Sequence, residues 1–482
     1  MKKILTIITC LIITSLQASA NEKYLTTHSR ASFASIVKNI SADRAIFTAT
    51  LFSLPFIQAF EATSGEDTLR EKLEKDIPEL IEKYKVPAIG VALIEDGKLK
   101  WQKVYGELEK DRPAPQDAIF NTASIGKTFT ALLVLKLVDS KQWNLDEPLA
   151  NYWIDEDIKD NPWLCKLTTR HVLSHRTGFK NWRRMNPSQK LEFDFEPGTA
   201  QQYSGEGMEY LRRALETKFK KPYDRMIDSL IFKPLYMKSS QYWSDTLDRS
   251  KFAYSHDVNG LIYQNMDYNV GVSGAGNIHT TLEDLSKFGI YILEGAGLSP
   301  SLYQEMITHQ GKEEGNAAFG LGWTVIKNLP SEEYVLKHGG DDKGVHSMLI
   351  LLPKSKKGMI VFTNGDNGIL VIDKLIKGLV DLSEKSNDPE AIALDNGTLD
   401  TYLGTYLQTD NRNLLVKREG NILKISGEGI PLMELTPTAK NKFYVKGFSI
   451  NMEFFNDTKD NTMKMKIFQN DKHVMDAVRS IK

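Results

Sequence analysis

The alternation of apolar and polar positions predicts a folded body that begins near residue 65. From Leu69 to Tyr84, apolar residues recur at helical spacing and charged residues occupy the positions between them. This pattern is typical of an amphipathic helix. The stretch that follows, residues 88–106, predicts two strands joined at Asp96-Gly97, because Asp-Gly between apolar runs is a strong hairpin signal.

The rest of the chain predicts a sheet interrupted by helices and followed by a second, all-β unit. A helical run follows Ser124, and helix and loop patterns then continue to about residue 290. Residues 333–365 return to strand patterns, and residues 366–385 predict a closing helix. This order indicates an α+β body with a helical insertion.

The C-terminal part of the chain has a different rhythm. A polar stretch, EKSNDPEAIALDNGT (384–398), is typical of a linker. Beyond it, strand-like runs of five to eight residues alternate with turn residues. Such a pattern predicts a small β-barrel or sandwich.

Composition narrows the possible functions only slightly. The chain has 482 residues, with 61 Lys and Arg against 62 Asp and Glu, so nothing in its charge favours nucleic-acid binding. The two cysteines are Cys10 and Cys165. If the N-terminus is removed, Cys165 stands alone and no intrachain disulfide can form; we expect it to be a small core residue.

The N-terminus predicts export from a bacterial cytoplasm to the periplasm or beyond. Lys2 and Lys3 precede an apolar run that ends at Ala18-Ser19-Ala20, the pattern of a cleavable signal peptide. A second apolar stretch at residues 45–60 contains Pro55 and is short for a spanning helix. It could associate with a membrane surface, pack on the body, or be an internal signal, and the sequence leaves these alternatives open.

One serine and one lysine, three residues apart, are candidates for chemistry. Ser124 and Lys127 stand at the start of the apolar helical run in NTASIGKTFTALLVLKLVD (121–139). A residue three positions along a helix lies one turn away on the same face, so the amine can reach the hydroxyl. A serine needs an adjacent base to become a nucleophile, and a helix N-terminus favours developing negative charge. S-x-x-K is a weak pattern alone, and it also occurs at Ser35 and Lys38.

Two further motifs make the pattern specific. Tyr203 stands in a Y-S-G context after a Pro-Gly turn, and His338-Gly339-Gly340 lies within a strand pattern. In order and approximate spacing, S-x-x-K, Y-S-G and H-G-G resemble the three motifs of the class C β-lactamase-like serine hydrolases. That family includes β-lactamases, D,D-carboxypeptidases, D-aminopeptidases and esterases. The resemblance covers about residues 65–380, and the tail from about residue 398 resembles the lipocalin-like domain often fused behind such hydrolases.

The resemblance implies a fold and a set of roles. The fold would be β-lactamase/transpeptidase-like, an antiparallel sheet flanked by helices with a helical subdomain. Ser124 would be acylated, Lys127 would take or relay its proton, and Tyr203 would carry a proton to the leaving group. His338 would line the strand edge, tuning the Tyr203 hydroxyl and the charged end of the substrate.

The resemblance also assigns backbone roles. The amides of Ser124 and Asp341 would form the oxyanion hole, where one donor is worth about 3 kcal/mol. Glycines at 339 and 340 would let a substrate backbone approach the strand.

Gly205 departs from the family pattern, which has asparagine at the end of Y-x-N. A glycine cannot supply the amide that commonly holds the substrate carbonyl, although Gln202 or Glu206 could reach in from nearby. This departure, together with histidine at 338 in place of a lysine, disfavours efficient β-lactam hydrolysis. If the missing amide limits activity, replacing Gly205 by asparagine should raise it.

Other histidines predict no separate site. His171 and His175 are four residues apart, but no acidic or cysteine third ligand stands at useful spacing, so we predict no metal. His279 and His346 are expected in loops or just outside the site. The segment GAGNIHTT predicts a tight turn before a helix capped at Thr280 or Thr281.

The sequence therefore predicts an exported serine hydrolase that needs no cofactor. Its substrates would be small peptides, esters, amides or β-lactam-like molecules. The alternative is a silent or slow penicillin-binding-like protein that binds peptidoglycan fragments or a protein partner, and the oligomeric state is left open. The predicted organisation is a signal peptide (1–20), an N-terminal segment (21–64), a hydrolase domain (65–385), a linker (386–397) and a lipocalin-like domain (398–482).

Overall fold

A computed structural model describes most of the chain after residue 64. The described residues are 65–268, 271–311, 317–380, 382, 389–409, 412–445, 450–457, 461–469 and 472–480. The chain divides into two compact units, Met1–Thr68 and Leu69–Lys482, and the account below concerns the second. The predicted signal peptide, the segment 21–64 and the apolar stretch 45–60 lie outside the described residues.

The described helices are numbered in chain order. They are α1 (Gly65–Tyr84), α2 (Gly126–Asp139), α3 (Thr169–Leu173), α4 (Gly205–Phe219), α5 (Tyr223–Ile227), α6 (Leu282–Leu293), α7 (Pro300–Met306), α8 (Gly368–Ile376) and α9 (Asn396–Asp400). Two of them test the sequence predictions directly. The first helix is confirmed, whereas the closing helix predicted over 366–385 is shorter, running over α8 only.

The strands fall into a body sheet, a small ribbon and a tail barrel. Those of the body are β1 (Ala88–Glu95), β2 (Lys98–Glu109), β3 (Arg112–Pro113), β4 (Phe120–Asn121), β5 (His279–Thr280), β6 (Ala317–Phe319), β7 (Thr324–Ile326), β8 (Val335–Asp342), β9 (Val345–Leu352) and β10 (Lys357–Thr363). Those of the tail are β11 (Gly404–Gln408), β12 (Asn413–Glu419), β13 (Ile422–Gly427), β14 (Ile430–Ala439), β15 (Lys442–Val445), β16 (Ile450–Asn456), β17 (Met463–Gln469) and β18 (Lys472–Arg479).

The body is an antiparallel sheet with helices on both faces. Its eight strands run in the order β3-β2-β1-β10-β9-β8-β7-β6. All eight residues of β1 are buried, and its alternate side chains enter two different cores, Ala92 and Ile94 on one face and Val91 and Leu93 on the other. Because successive side chains point to opposite faces, a strand covered on both sides is apolar throughout.

Different helices cover the two faces. Helices α2 and α6 pack on one face, with Phe129 and Phe288 stacked at a centroid distance of 4.0 Å. Helices α1 and α8 pack on the other. The predicted hairpin between β1 and β2 is confirmed, and Asp96 and Gly97 both have positive φ angles, as the tight turn requires.

The tail is a closed barrel of eight antiparallel strands, β11 to β18. Its interior is filled by large side chains, including Tyr406, Phe443 and Phe454, which is how a small barrel forms a core. The predicted fold, a β-lactamase/transpeptidase-like body followed by a small all-β barrel, is confirmed.

The barrel contacts the body near the hairpin that joins β8 to β9. Lys343, in that hairpin, pairs with Glu428 of the barrel at 2.8 Å. The Asn367 side chain accepts a hydrogen bond from the Leu432 amide at 2.9 Å and donates to the carbonyl of Tyr84 at 2.8 Å. One buried asparagine therefore links the first helix of the body to the barrel.

Two smaller predictions have different outcomes. Cys165 is exposed rather than part of the core, so that expectation is wrong. The helix predicted after GAGNIHTT is confirmed as α6, and the Thr281 side chain caps it by accepting from the Asp284 amide. Within the described part of the chain, no helix has the length and apolar character needed to cross a membrane.

Candidate active site

Ser124 lies in a short 3₁₀ turn, Ala123–Ile125, directly before helix α2. The chain enters this turn from β4, and Ala123 has a φ of 45°. A left-handed conformation costs a non-glycine residue about 1 kcal/mol. It is held here because the Ala123 amide donates to the Asn121 side chain at 2.8 Å and the Thr122 amide to the Ile278 carbonyl at 2.9 Å.

The amine of Lys127 reaches Ser124 as the spacing predicts. Lys127 is 1% exposed, and its Nζ lies 2.9 Å from Ser124 Oγ and 2.8 Å from the Ala275 carbonyl oxygen. The carbonyl fixes one N–H of the amine. With that contact fixed, Nζ stays within hydrogen-bond reach of the hydroxyl, which is the contact that a general base requires.

Tyr203 comes from a distant part of the chain to the same place. Its ring centroid is 4.9 Å from Lys127 Nζ and 6.4 Å from the centroid of His338. The next residue, Ser204, caps helix α4 by accepting from the Gly207 amide at 3.0 Å. The three predicted motifs therefore meet in one site.

His338 is held as a neutral acceptor. It is 5% exposed, and its Nδ1 lies 2.7 Å from the Gly339 carbonyl oxygen. Because a carbonyl only accepts, Nδ1 carries the hydrogen and Nε2 keeps its lone pair. Burial, followed by the nearby Lys127 charge, lowers the pKa of His338 to about 4. A neutral imidazole cannot attract a negatively charged substrate end. The geometry therefore fits the other predicted role of His338, tuning the Tyr203 hydroxyl.

His175, for which the sequence analysis predicted no separate site, supports Tyr203. Their ring centroids are 4.3 Å apart, and His175 Nδ1 accepts from the Ser204 amide at 3.2 Å. Burial, followed by the nearby Lys127 charge, keeps the pKa of His175 well below its usual value. Among the described residues, no group of His, Cys, Asp and Glu is arranged to hold a metal ion.

The end of strand β8 lies beside Ser124. Strand β7 pairs only with residues 335–337, so among the described strands the stretch His338–Asp342 has a partner on the β9 side alone. A Cβ built on Gly340 would lie 3.1 Å from the Ser124 amide nitrogen and 2.1 Å from the Thr122 carbonyl oxygen. Gly340 thus allows the strand to approach the turn that carries Ser124, where the predicted oxyanion donors are located.

The Asp341 side chain contacts His346, whereas its backbone amide is the group predicted to belong to the oxyanion hole. Its carboxylate lies 2.6 Å from His346 Nδ1, and His346 Nε2 lies 2.9 Å from the Asp366 carbonyl oxygen. His346 is buried on strand β9 and His279 on strand β5, so neither lies in a loop. His346, which contacts Asp341, lies just outside the site, as the other alternative expected. These contacts hold the chain immediately after the two glycines.

The position beside Gly205, where the family pattern has an asparagine side chain, is not empty. Gly205 is the first residue of α4, and its amide donates to the Asn181 side chain at 2.8 Å. A Cβ on Gly205 would lie 2.8 Å from the Trp182 ring. The space beside Gly205 is therefore filled by an indole.

The two residues proposed to substitute for the missing amide are engaged elsewhere. Gln202 donates to the Asp194 side chain at 2.8 Å. The Glu206 carboxylate accepts from the Arg183 guanidinium at 3.1 Å. The hypothesis that either one reaches into the site is not supported.

Fold and site together define a protein with the β-lactamase/transpeptidase architecture and a Ser-Lys-Tyr centre. The family model described as Beta-lactamase matches residues 71–374. The chain therefore belongs to the Beta-lactamase family, a family of serine hydrolases that share this fold.

Individual relatives are distant. Penicillin-binding protein 4* of Bacillus subtilis (strain 168) is 23% identical over 392 residues, which span 73% of this chain and 85% of that protein. Protein flp of Staphylococcus aureus (strain N315) is 22% identical over 322 residues, and the match spans 61% of this chain and 63% of flp. The octameric penicillin-binding protein homologue of Pyrococcus abyssi shares the fold with a TM-score of 0.58 at 20% identity, covering 85% of this chain and 99% of that one.

The two adjacent glycines of β8 should respond differently to alanine. Gly340→Ala places a methyl 2.4 Å from Ser347 Oγ as well as against Thr122, and overpacking of this kind costs about 1 to 3 kcal/mol. Gly339→Ala meets the end of Met348 at 3.4 Å and the Ser347 carbonyl oxygen at 3.8 Å, both ordinary contacts, and should change the free energy of unfolding by less than about 0.5 kcal/mol. Urea denaturation measures both; equal stabilities would refute this packing argument.

Acid should destabilise the fold through its buried histidines. Burial lowers the pKa of both His338 and His279 to about 4. Between pH 6.5 and 4 the unfolded chain binds more protons than the native one, so the free energy of unfolding falls as pH falls, by about 1.4 kcal/mol per pH unit per histidine. Full stability is present above pH 6.5.

Urea midpoints measured from pH 7.5 to 4 check this dependence. His338→Gln should reduce the slope by about one proton. His473→Asn, at an exposed position on the barrel, should leave the slope unchanged. A slope that is the same in wild type and His338→Gln would contradict the assignment of His338.

Asparagine at 205 should harm the site rather than improve it. Gly205→Asn would displace Trp182, so the melting temperature should fall and reactivity toward penicillin should not rise. The double variant Trp182→Ala/Gly205→Asn supplies the missing space and serves as the control. Thermal melts and fluorescent penicillin labelling test both, and a stable single variant with faster labelling would restore the original hypothesis.

Proposed function

We propose that this protein is an active serine hydrolase that cleaves peptide, ester or amide bonds through an acyl-enzyme on Ser124. The observation that carries the proposal is the buried Lys127 amine, 2.9 Å from the serine hydroxyl and covered by the Tyr203 ring. A second polar atom, the Ala275 carbonyl oxygen, orients the amine. This arrangement supplies a nucleophile, a base and a proton carrier without a cofactor.

Acylation follows from these positions. Ser124 Oγ attacks the substrate carbonyl carbon while its proton passes to Lys127 Nζ. Negative charge develops on the carbonyl oxygen, next to the Ser124 and Asp341 amides. As the bond to the leaving group breaks, Tyr203 delivers a proton to the leaving atom and regains one from Lys127. The product of this step is an ester of Ser124.

Deacylation reverses the roles with water as the nucleophile. The same base and proton carrier remove a proton from water and return one to Ser124 Oγ, releasing the acid. A positioned base contributes about 10² to 10⁴-fold to such a step. The neutral His338, whose Nε2 keeps its lone pair, is suited to act beside Tyr203 rather than to attract a substrate carboxylate.

The proposed range of substrates is narrower than the range that the family as a whole accepts. The name of the relative penicillin-binding protein 4* supports recognition of penicillin-like amides. Against efficient β-lactam turnover stand the indole beside Gly205 and the absence of positive charge on His338 near neutral pH. We therefore place D,D-peptidase, D-aminopeptidase or esterase chemistry ahead of β-lactamase chemistry, and we propose that it takes place outside the cytoplasm.

A fluorophosphonate probe tests the nucleophile. Wild-type protein should be labelled, and Ser124→Ala and Lys127→Ala should lose at least about 10²-fold in labelling rate. Ser140→Ala, an exposed serine that follows the far end of helix α2, should behave as wild type. Labelling that persists in Ser124→Ala would overturn the proposal.

A fluorescent penicillin used in parallel separates the substrate classes. Labelling by fluorophosphonate but not by penicillin favours esterase or aminopeptidase chemistry. Labelling by both favours a penicillin-reactive peptidase. A wild-type protein that remains unlabelled by either probe, while folded, would favour the silent binding protein and contradict catalysis.

A further inference from the structure

A carboxylate outside the three motifs clamps the loop that orients Lys127. Glu209 lies in the second turn of helix α4, and its Oε1 accepts from the Ser273 hydroxyl at 2.5 Å, the Gly274 amide at 2.9 Å and the Ala275 amide at 3.4 Å. Ser273 Oγ itself accepts from the Ala275 amide at 3.0 Å. Three donors of one short loop therefore converge on a single carboxylate oxygen.

The other oxygen of Glu209 is also engaged. Arg212 Nε donates to Oε2 at 2.8 Å, and Arg212 Nη1 donates to Glu216 at 2.6 Å. The arginine holds the carboxylate in one rotamer and partly balances its charge. Hydrogen bonds to a charged acceptor are roughly twice as strong as neutral ones, so this clamp resists displacement of the loop.

The clamped loop returns its carbonyl groups to the helix that follows the nucleophile. The Gly274 carbonyl accepts from the Thr130 hydroxyl at 2.5 Å, and the Ala275 carbonyl accepts from Lys127 Nζ at 2.8 Å. Thr130 and Lys127 both lie on helix α2. The loop is thus fixed at its amides by Glu209 and delivers its carbonyl oxygens to α2.

Close packing leaves the loop little freedom to find another position. A Cβ on Gly274 would lie 2.7 Å from the Met208 carbonyl oxygen, and one on Gly276 would lie 2.7 Å from the Ala123 carbonyl oxygen. The loop is therefore wedged between helix α4 and the turn that carries Ser124. A shift of the Ala275 carbonyl would change which way the Lys127 lone pair points.

From these contacts we propose that Glu209 is a positioning residue for catalysis. Through the Ser273–Ala275 loop, it sets the carbonyl that aims the Lys127 amine at Ser124. The inference rests on the proposed function, because it assigns to Glu209 control over the base of that same reaction. Glu209 touches neither Ser124 nor the reacting atoms.

Glu209→Ala tests the clamp through the pH dependence of fluorophosphonate labelling. We expect the maximal labelling rate to fall about 10- to 100-fold. The acid limb of the rate–pH profile should also move to lower pH, because the Ala275 carbonyl that accepts from Lys127 Nζ is no longer held in line with it. A residue that only stabilises the fold would lower the active fraction and leave the limb in place.

Glu216→Ala is the matched control. Glu216 lies on the same helix and pairs with the same arginine, but the contacts recorded for it are with Arg212 and the Tyr223 amide, not with the 273–275 loop. Its labelling rate and pH profile should match wild type. If Glu216→Ala shifts the profile as much as Glu209→Ala, the effect is general electrostatics and the proposal is overturned.

A second variant covers the case in which Glu209→Ala does not fold. Ser273→Ala removes one of the three donors and should shift the same limb in the same direction by a smaller amount, with a melting temperature close to wild type. An unchanged profile in a folded Ser273→Ala would overturn the clamp, whether or not Glu209→Ala folds. Wild-type protein that resists labelling would instead overturn the proposed function, so the two failures are distinguishable.

Discussion

The structure depends on a buried lysine amine whose two recorded hydrogen bonds are to neutral groups, a serine hydroxyl and a backbone carbonyl. An amine removed from water must have its hydrogen bonds satisfied by the protein. Ala275 does so from one side and Ser124 from the other, and Tyr203 covers it. The strand, the helix and the loop around Lys127 are packed so closely that Gly340 and Gly276 leave no room for a side chain.

Much of this arrangement could be predicted from the chain. The S-x-x-K spacing fixes a one-turn relation that needs no tertiary information, and Lys127 meets Ser124 accordingly. The meeting of Tyr203 and His338 with this pair came from the order of three motifs, because no local rule connects residues so far apart. Within the fold, the first helix and the first hairpin could be predicted locally, from the periodicity of apolar residues and from the turn residues.

What could not be predicted depends on contacts between distant segments. Ala275 acts through its carbonyl oxygen, which any residue would provide, so no side-chain pattern marks it. Glu209 resembles any other charged residue on an amphipathic helix until the 273–275 loop is seen to fold onto it. Gly205 was interpreted as a missing amide, whereas the indole of Trp182 occupies that space. A sequence reveals that a group is absent but not what fills its place.

The left-handed backbone of Ala123 has a bearing on heat inactivation. A residue in that conformation lowers its free energy as soon as its surroundings loosen, since nothing intrinsic to alanine holds it there. Ser124 is the very next residue. Modest warming that frees the Asn121 and Ile278 anchors would rotate the serine away from Lys127 while both hydrophobic cores of the sheet remain packed, so the geometry of the candidate site would be lost before the cooperative melting of the molecule.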